Sequence, residues 1–216
     1  MSYLRPRLLW TVLLLVGSAL SPRAQDLQPI PLPKPQTEGG KPLMQALSER
    51  KTVRDMTAAP LPPQLLSNLL WAGFGVNRPE IAHRTAPSAM NAQEVDIYVA
   101  TVDGLYLYDA LTNRLEAVQA GDIRTKTSGQ DFAKLAPVTL IFVADYARMT
   151  KAKPEQKEFY SGIDTGCISQ NVYLFCASEG LATVVHDLDR SVLAKAMPLR
   201  AEQHIVLAQA VGYPKK

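Results

Sequence analysis

Three features of this sequence predict an α+β protein built in layers around one core. Two helical patterns come first. Strands interleaved with helices follow. Among those strands, the continuous apolar run Val138 to Val143 suits a strand buried on both faces. At 216 residues the chain is long enough to bury one good-sized core, and length favours one domain over two.

In chain order, residues 1–24 read as a secretory signal peptide. Arg5 and Arg7 precede the apolar run Leu8 to Leu20, and Ser21-Pro22-Arg23-Ala24 follows. Cleavage after Gly17-Ser18-Ala19 or after Ala24 stays open, as does retention of the segment as an anchor, although the run is shorter than the roughly 20 residues of a span. Residues 25–40 place Pro29, Pro31, Pro33 and Pro35 at every second position before Gly39-Gly40, which predicts an extended linker or flexible arm. The globular domain is then residues 41–216.

Pro42 suits a first helical turn, and Leu43, Met44, Ala46 and Leu47 give an apolar face to a helix ending near Arg50. Pro62 and Pro63 open a second helix striped by Leu65, Leu66, Leu69 and Leu70, which stops at residues 73–75. Val95, Ile97 and Val99 alternate with Glu94, Asp96 and Tyr98 in a half-buried strand. It meets the hairpin pair Asp103-Gly104 before a second strand, Leu105 to Tyr108. Leu115 to Val118 is a further strand, and residues 121–130 read as loop. Pro154 precedes the longest helical pattern, Glu155 to Glu179, with Ile163, Cys167, Val172, Leu174, Phe175 and Ala177 as apolar contacts and Gly180 as its αL end. Thr183 to Val185 is extended, Asp189 caps a helix reaching Ala196, and Ile205 to Val211 is a late strand.

Charge excludes one class of partner. Loss of residues 1–24 removes three arginines and no acid, so Lys plus Arg falls from 23 to 20, equal to Asp plus Glu. The mature chain is neutral, which argues for neither a nucleic acid nor an anionic membrane surface. No later segment is apolar enough to span a bilayer. Cys167 and Cys176, both on the long predicted helix, stand roughly 13 Å and half a rotation apart, beyond the about 4.4–6.8 Å Cα spacing of a disulfide. They read as small buried hydrophobes, with an intersubunit bond left open. His83, His186 and His204 lack metal-ligand spacing and read as structural or surface residues.

Two segments could carry chemistry. Arg84-Thr85-Ala86-Pro87-Ser88-Ala89-Met90-Asn91-Ala92-Gln93 is polar and turn-forming, with small side chains that let a flat heterocycle approach and amides that offer donors and acceptors; an ordinary surface loop is the alternative. In Arg50-Lys51-Thr52-Val53-Arg54, two arginines four apart can converge on one anion, although cations at a helix C-terminus also suit its dipole.

These two segments occur in order with Gly75-Val76-Asn77-Arg78-Pro79, then Asp164-Thr165-Gly166-Cys167-Ile168-Ser169-Gln170-Asn171-Val172-Tyr173-Leu174, then Glu179-Gly180-Leu181, and finally Val211-Gly212-Tyr213-Pro214-Lys215-Lys216. The ordered set resembles the flavin-dependent nitroreductase superfamily, in the branch that includes azoline-oxidising, thiazole- and oxazole-forming dehydrogenases, over residues 41–216. The resemblance implies a three-layer α+β sandwich with a mixed, mostly antiparallel central sheet flanked by helices. It also implies a homodimer with two FMN cofactors at its interface.

By the same resemblance, Arg50, Lys51, Thr52 and Arg54 surround the FMN phosphate and ribityl chain, and Pro87, Ser88, Ala89 and Asn91 reach the flavin ring from the partner subunit. Lys215 and Lys216 take the place of terminal phosphate contacts, unless they form only a tail. Val185 and His186 fall in the loop beside flavin N5, residues 184–187. His186-Asp187 stands where many relatives have a small-residue turn, and relatives often continue beyond Gly-Tyr-Pro with a longer basic arm. Flavin itself performs hydride transfer, so no protein nucleophile, catalytic side chain or metal is implied. The expected protein is an exported, periplasmic FMN oxidoreductase that moves two electrons to or from a small planar molecule such as a nitroaromatic or quinone. The alternative is a flavin-binding or interaction module without turnover.

Overall fold

The computed structural model describes residues 27–215, so the signal segment and Lys216 lie outside the described residues. The elements are β1 (Ile30–Pro31), α1 (Leu43–Glu49), α2 (Pro63–Phe74), β2 (Val76–Arg78), β3 (His83–Arg84), β4 (Val95–Ala100), β5 (Gly104–Asp109), β6 (Arg114–Ala120), α3 (Asp131–Leu135), β7 (Val138–Asp145), α4 (Pro154–Glu179), β8 (Ala182–His186), α5 (Arg190–Ala196) and β9 (Gln203–Gly212). Seven strands form one sheet in the order β1-β6-β5-β4-β7-β9-β8. Each neighbouring pair in it is antiparallel, so the mostly antiparallel sheet has no parallel pair among the described residues. β2 and β3 form a separate two-stranded ribbon.

Both faces of the sheet are covered, which makes three layers. All eight residues of β7 are buried, as its apolar-rich run requires of a central strand, with Thr139 and Asp145 as its buried polar residues. On one face, Val95, Ile97, Val99, Leu140 and Phe142 pack against α2 and α4 through Leu69, Leu70, Phe74, Ile168, Val172 and Cys176. On the other, Tyr98, Ala100, Ile141, Val143 and Ile205 pack against Leu193 of α5 and the following Met197. β9 serves both faces through a bulge. Phe142 pairs with Leu207 but Val143 pairs with Ile205, leaving Val206 as the extra residue. That insertion puts Ile205 and Leu207 on opposite faces, where a regular strand would put both on one.

The helix ends follow their local chemistry. Pro63 and Pro154 occupy first-turn positions, and Gly180 closes α4 with φ 70° and an N–H bond to the Cys176 carbonyl. Asp189 Oδ1 accepts from the N–H groups of Ser191 at 2.9 Å and Val192 at 3.1 Å, capping α5.

One predicted apolar face and one residue of another are turned to solvent instead, while Val172, Cys167 and Phe175 of α4 meet the core as expected. On α1 only Ala46 is buried, whereas Leu43, Met44 and Leu47 are exposed. On α4, Ile163 lies outside the core and is 49% exposed, next to exposed Phe159. The buried stripe of α4 is instead Ser161, Asp164, Thr165, Ile168, Ser169, Val172 and Cys176. Cys167 is half-buried and both cysteines are free.

The proline-rich segment is extended but bound along its length rather than loose. Ile30 and Pro31 pair with Leu115 and Arg114, and Leu27 and Leu32 pack on the core. The Pro33 carbonyl accepts from Ser67 Oγ at 2.6 Å and Asn113 Nδ2 at 2.8 Å, and the Lys34 carbonyl accepts from Gln64 Nε2 at 3.0 Å. Prolines lack an N–H, so the segment attaches mainly through its carbonyls to donors on α2 and before β6.

A buried polar chain ties α4 to the sheet. Ser169 Oγ donates to Gln209 Oε1 at 2.9 Å, Gln209 Nε2 donates to Thr183 Oγ1 at 3.0 Å, and Thr183 Oγ1 donates to the Ala210 carbonyl at 2.9 Å. Ser169→Ala strands the Gln209 carbonyl oxygen in the core and should cost about 1–3 kcal/mol of unfolding free energy, read by urea denaturation. Adding Gln209→Met, which removes the stranded group, should recover part of that loss.

Candidate functional site

The chain leaves α1 at Arg50 and runs extended to residue 57 along the outer edge of β8. Val53 N–H donates to the Thr183 carbonyl at 3.0 Å. Farther along, the same run pairs with residues 213–215, which continue β9 beyond the start of β8. Thr57 N–H donates to the Tyr213 carbonyl at 2.8 Å, Met56 bridges Pro214, and Lys215 N–H donates to the Asp55 carbonyl at 3.0 Å. Two basic segments far apart in sequence are thereby joined.

Tyr173, on α4, organises this end of the molecule. The Arg50 guanidinium lies over its ring, 5.4 Å from the centroid. Its hydroxyl accepts from Val185 N–H at 2.9 Å and stands 3.2 Å from Thr52 Oγ1. Beside it opens a cleft of about 590 Å³ whose lining includes Lys41, Lys51, Val53, Gly180 and Lys215. Lys41 is paired with Glu49 at 2.5 Å. Among the described residues no ion pair holds Arg50, Lys51, Arg54 or Lys215. Lys51, Thr52 and Arg54 are exposed. Glu49 also lines the cleft but is bonded by Lys41, so the cations outnumber the acids there and suit an anion of phosphate size.

The loop from Arg84 to Gln93 is built differently from a plain surface turn. Ala82, Met90, Asn91 and Gln93 all have positive φ, between 48° and 54°, in a stretch without glycine. L-residues adopt that region at a cost, so the surroundings must hold it. Arg84 donates from Nε to Gln93 Oε1 at 2.9 Å and from Nη1 to the Phe74 carbonyl at 3.2 Å. Gln93 Nε2 donates to the Ala82 carbonyl, its N–H donates to Ser88 Oγ at 2.9 Å, and Ala89 N–H donates to Asp164 Oδ2 at 2.7 Å. Gln93 and the Ser88 oxygen are therefore committed to the loop itself. Pro87, Met90 and Asn91 remain exposed.

One chain does not bring the two segments together. The loop is anchored at Asp164 and the basic end at Tyr173, nine residues along the same helix, which is about 13 Å of rise and half a rotation.

Val185 and His186 end β8. The Val185 N–H is engaged by Tyr173. The His186 side chain is 5% exposed, lies edge-on to Phe132 at 5.6 Å, and has Nδ1 3.2 Å from the Asp187 carbonyl. Burial holds its imidazole below the ordinary pKa, so it is neutral near pH 7. His83 sits 3.2 Å from Asn91 Nδ2, and His204 stacks on Tyr146 at 4.1 Å.

Two residues at these places carried no sequence signal of their own. Tyr173 gathers Arg50, Thr52 and Val185, and only the fold reveals it. Glu94, at a predicted polar strand position, is fully buried beside Asp164.

Comparison with known proteins gives a consistent result. The nitroreductase family matches residues 47–213. A candidate nitroreductase of Methanocaldococcus jannaschii is 32% identical over 152 residues, covering 66% of this chain and 76% of that one. The crystal structure of a candidate nitroreductase from Ralstonia eutropha JMP134 is 40% identical, covers 90% of this chain and 92% of that one, and superposes with a TM-score of 0.84. A Desulfovibrio desulfuricans structure, described as a nitroreductase in complex with FMN, shares the fold at 20% identity, with a TM-score of 0.58 and 82% and 89% of the two chains covered. With the family match spanning the basic segment, the anchored loop, α4 and the start of the closing segment, the chain belongs to the nitroreductase family.

Proposed function

We propose that this chain is an exported, homodimeric FMN-dependent oxidoreductase that moves two electrons to or from a small planar molecule such as a nitroaromatic or quinone. The observation that carries the proposal is the group of cations without an ion pair among the described residues, Arg50 over the Tyr173 ring and Lys51 and Lys215 in the lining of the cleft beside it, with Arg54 exposed on the same segment. FMN bound there would supply the hydride chemistry.

The chain's own groups have distinct tasks. Arg50, Lys51, Arg54 and Lys215 would hold the phosphate through charge-assisted hydrogen bonds. Thr52, held near the Tyr173 hydroxyl, offers a hydrogen bond to the ribityl chain. Pro87, Ser88, Ala89 and Asn91 of a second copy wall the ring, because the same loop in one chain is tied to α4 far from the basic cluster. Val185 is held by Tyr173, and neutral His186 orders the end of β8 without a proton to give near pH 7.

The dimer reading rests on surfaces that a lone chain leaves uncovered. Leu43, Met44 and Leu47 of α1 are exposed, and so are Phe159 and Ile163 of α4. A Cβ at Gly162 or Gly166 would meet nothing within 4 Å, so that helix face is smooth as well as apolar. Export rests on residues 1–24 alone. Nicotinamide nucleotides are scarce outside the cytoplasm, so the donor is a periplasmic reductant, or the reaction runs as a dehydrogenation.

Purified full-length protein should be yellow, or become so with added FMN, and should pass electrons to a quinone or nitroaromatic. Colourless protein that takes up no FMN overturns the proposal, and tightly held flavin that never turns over makes the chain a binding module. Each of Arg50→Ala and Arg54→Ala should weaken FMN binding by about 1.5–3 kcal/mol, tenfold or more, by fluorescence titration. The urea midpoint of Arg54→Ala should stay close to the parent value, since that side chain is exposed.

A further inference from the structure

Glu94 is a buried titratable group with no part in the flavin site proposed above. It stands at the entry to β4 with 0% exposure, and neither carboxyl oxygen has a hydrogen-bond partner among the described residues. Beside it lies Asp164 of α4, itself 5% exposed, whose Oδ2 already accepts from Ala89 N–H at 2.7 Å. Two acids this close and this dry cannot both be ionised without large cost, and one proton between them removes the conflict.

We infer that Glu94 is held as the carboxylic acid and donates its proton to the Asp164 carboxylate, making the pair a positioning clamp for the loop that carries Pro87, Ser88, Ala89 and Asn91. Asp164 then accepts two hydrogen bonds, from Glu94 and from Ala89, and fixes the strained loop to α4. When the proton leaves, the two carboxylates repel, and Asp164 is driven from a position it must keep for Ala89. The strained backbone at Met90, Asn91 and Gln93 supplies the tendency to relax once that anchor weakens.

The charges around the pair set where this happens. Burial pushes the Glu94 carboxyl up to about 7, and Asp164 on α4 pushes it the same way. Arg148, in the turn after β7, opposes them. Its Nη2 donates to the Glu94 carbonyl at 2.7 Å, but its charge is shared with Asp96 at 2.7 Å and Asp145 at 3.7 Å. Asp145 is bonded in turn by Arg200. The positive charge facing Glu94 is therefore already committed to other acids.

The folded chain binds this proton more tightly than the unfolded chain, whose Glu94 has the ordinary value of 4.5. The pair's contribution to stability is full on the acid side of 4.5 and declines as the pH rises to about 7. Glu94→Gln keeps a donor toward Asp164 at every pH and should flatten that decline.

The clamp belongs to one chain, whereas its effect on cofactor binding rests on the FMN reading above. The test is NMR of the full chain without flavin, following the Ala89 amide and the Glu94 carboxyl carbon from pH 5 to 9. Both should titrate together with a midpoint near 7, and Ala89 protection from exchange, corrected for the intrinsic rate, should fall at least about tenfold across it. In Glu94→Gln the Ala89 signal should stay flat, and in the parent FMN affinity should weaken over the same interval. A Glu94 carbon that titrates near the ordinary value, or an Ala89 amide indifferent to pH in the parent protein, overturns the clamp. An amide that titrates as expected in a protein that binds no FMN at any pH supports the clamp and removes the flavin reading.

Discussion

A single helix that must satisfy its own polar stripe governs the arrangement of this protein. α4 lies on the sheet through Ile168, Val172 and Cys176, but Ser161, Asp164, Thr165 and Ser169 share that buried stripe. Each net hydrogen bond is worth only about 1 kcal/mol, yet a buried group left without a partner costs more than a made bond returns. Several polar side chains of α4 therefore reach other segments. Ser169 takes Gln209 of β9, Asp164 takes the amide of Ala89, and Asn171 Nδ2 donates to the Gly73 carbonyl at 3.3 Å. Tyr173 receives Val185, and Ser178 Oγ receives Lys41 N–H at 2.8 Å. The positions of the basic segment, the strained loop and the end of β8 are thus measured from one axis.

Much of the fold was legible because its signals are local. Prolines and glycines punctuate α2 and α4, and the apolar-rich run of β7 marks a strand buried on both faces, whereas β4, whose alternation predicts one buried face, buries both because Tyr98 and Ala100 join the second cluster. What failed depended on partners distant in sequence. Ile163 looked like core because α4 has few large apolar residues, but its inner stripe is partly polar. Leu43, Met44 and Leu47 have the right spacing for burial and meet no cover within the chain. Residues 27–40 carry the composition of a linker, since composition cannot announce that Ser67, Gln64 and Asn113 will bind their carbonyls.

The site divides along the same line. Arg50, Lys51, Thr52 and Arg54 could be singled out by charge, and the loop at 84–93 by its polar turn residues. The convergence of Lys215 with that basic segment had no physical basis in the sequence, because it depends on the antiparallel meeting of residues 55–57 with residues 213–215. Ser88 and Gln93 have the size and polarity that suit a ligand, and they are partly spent on holding a backbone that non-glycine residues seldom adopt. Charge patterning thus identified where an anion would be attracted, while the groups that hold the loop in shape emerged only from the packing.

The two margins of the sheet repay a last comparison. On one side β1 is a two-residue strand in a segment where alternate positions are proline, so it offers few N–H groups to a further strand. On the other, β8 has its outer carbonyl and amide groups taken by Val53 and by Tyr173. Neither border invites a foreign strand. The exposed apolar side chains of α1 and of the first half of α4 lie on helices, so what they offer a neighbour is side-chain packing and not an open ladder of backbone hydrogen bonds.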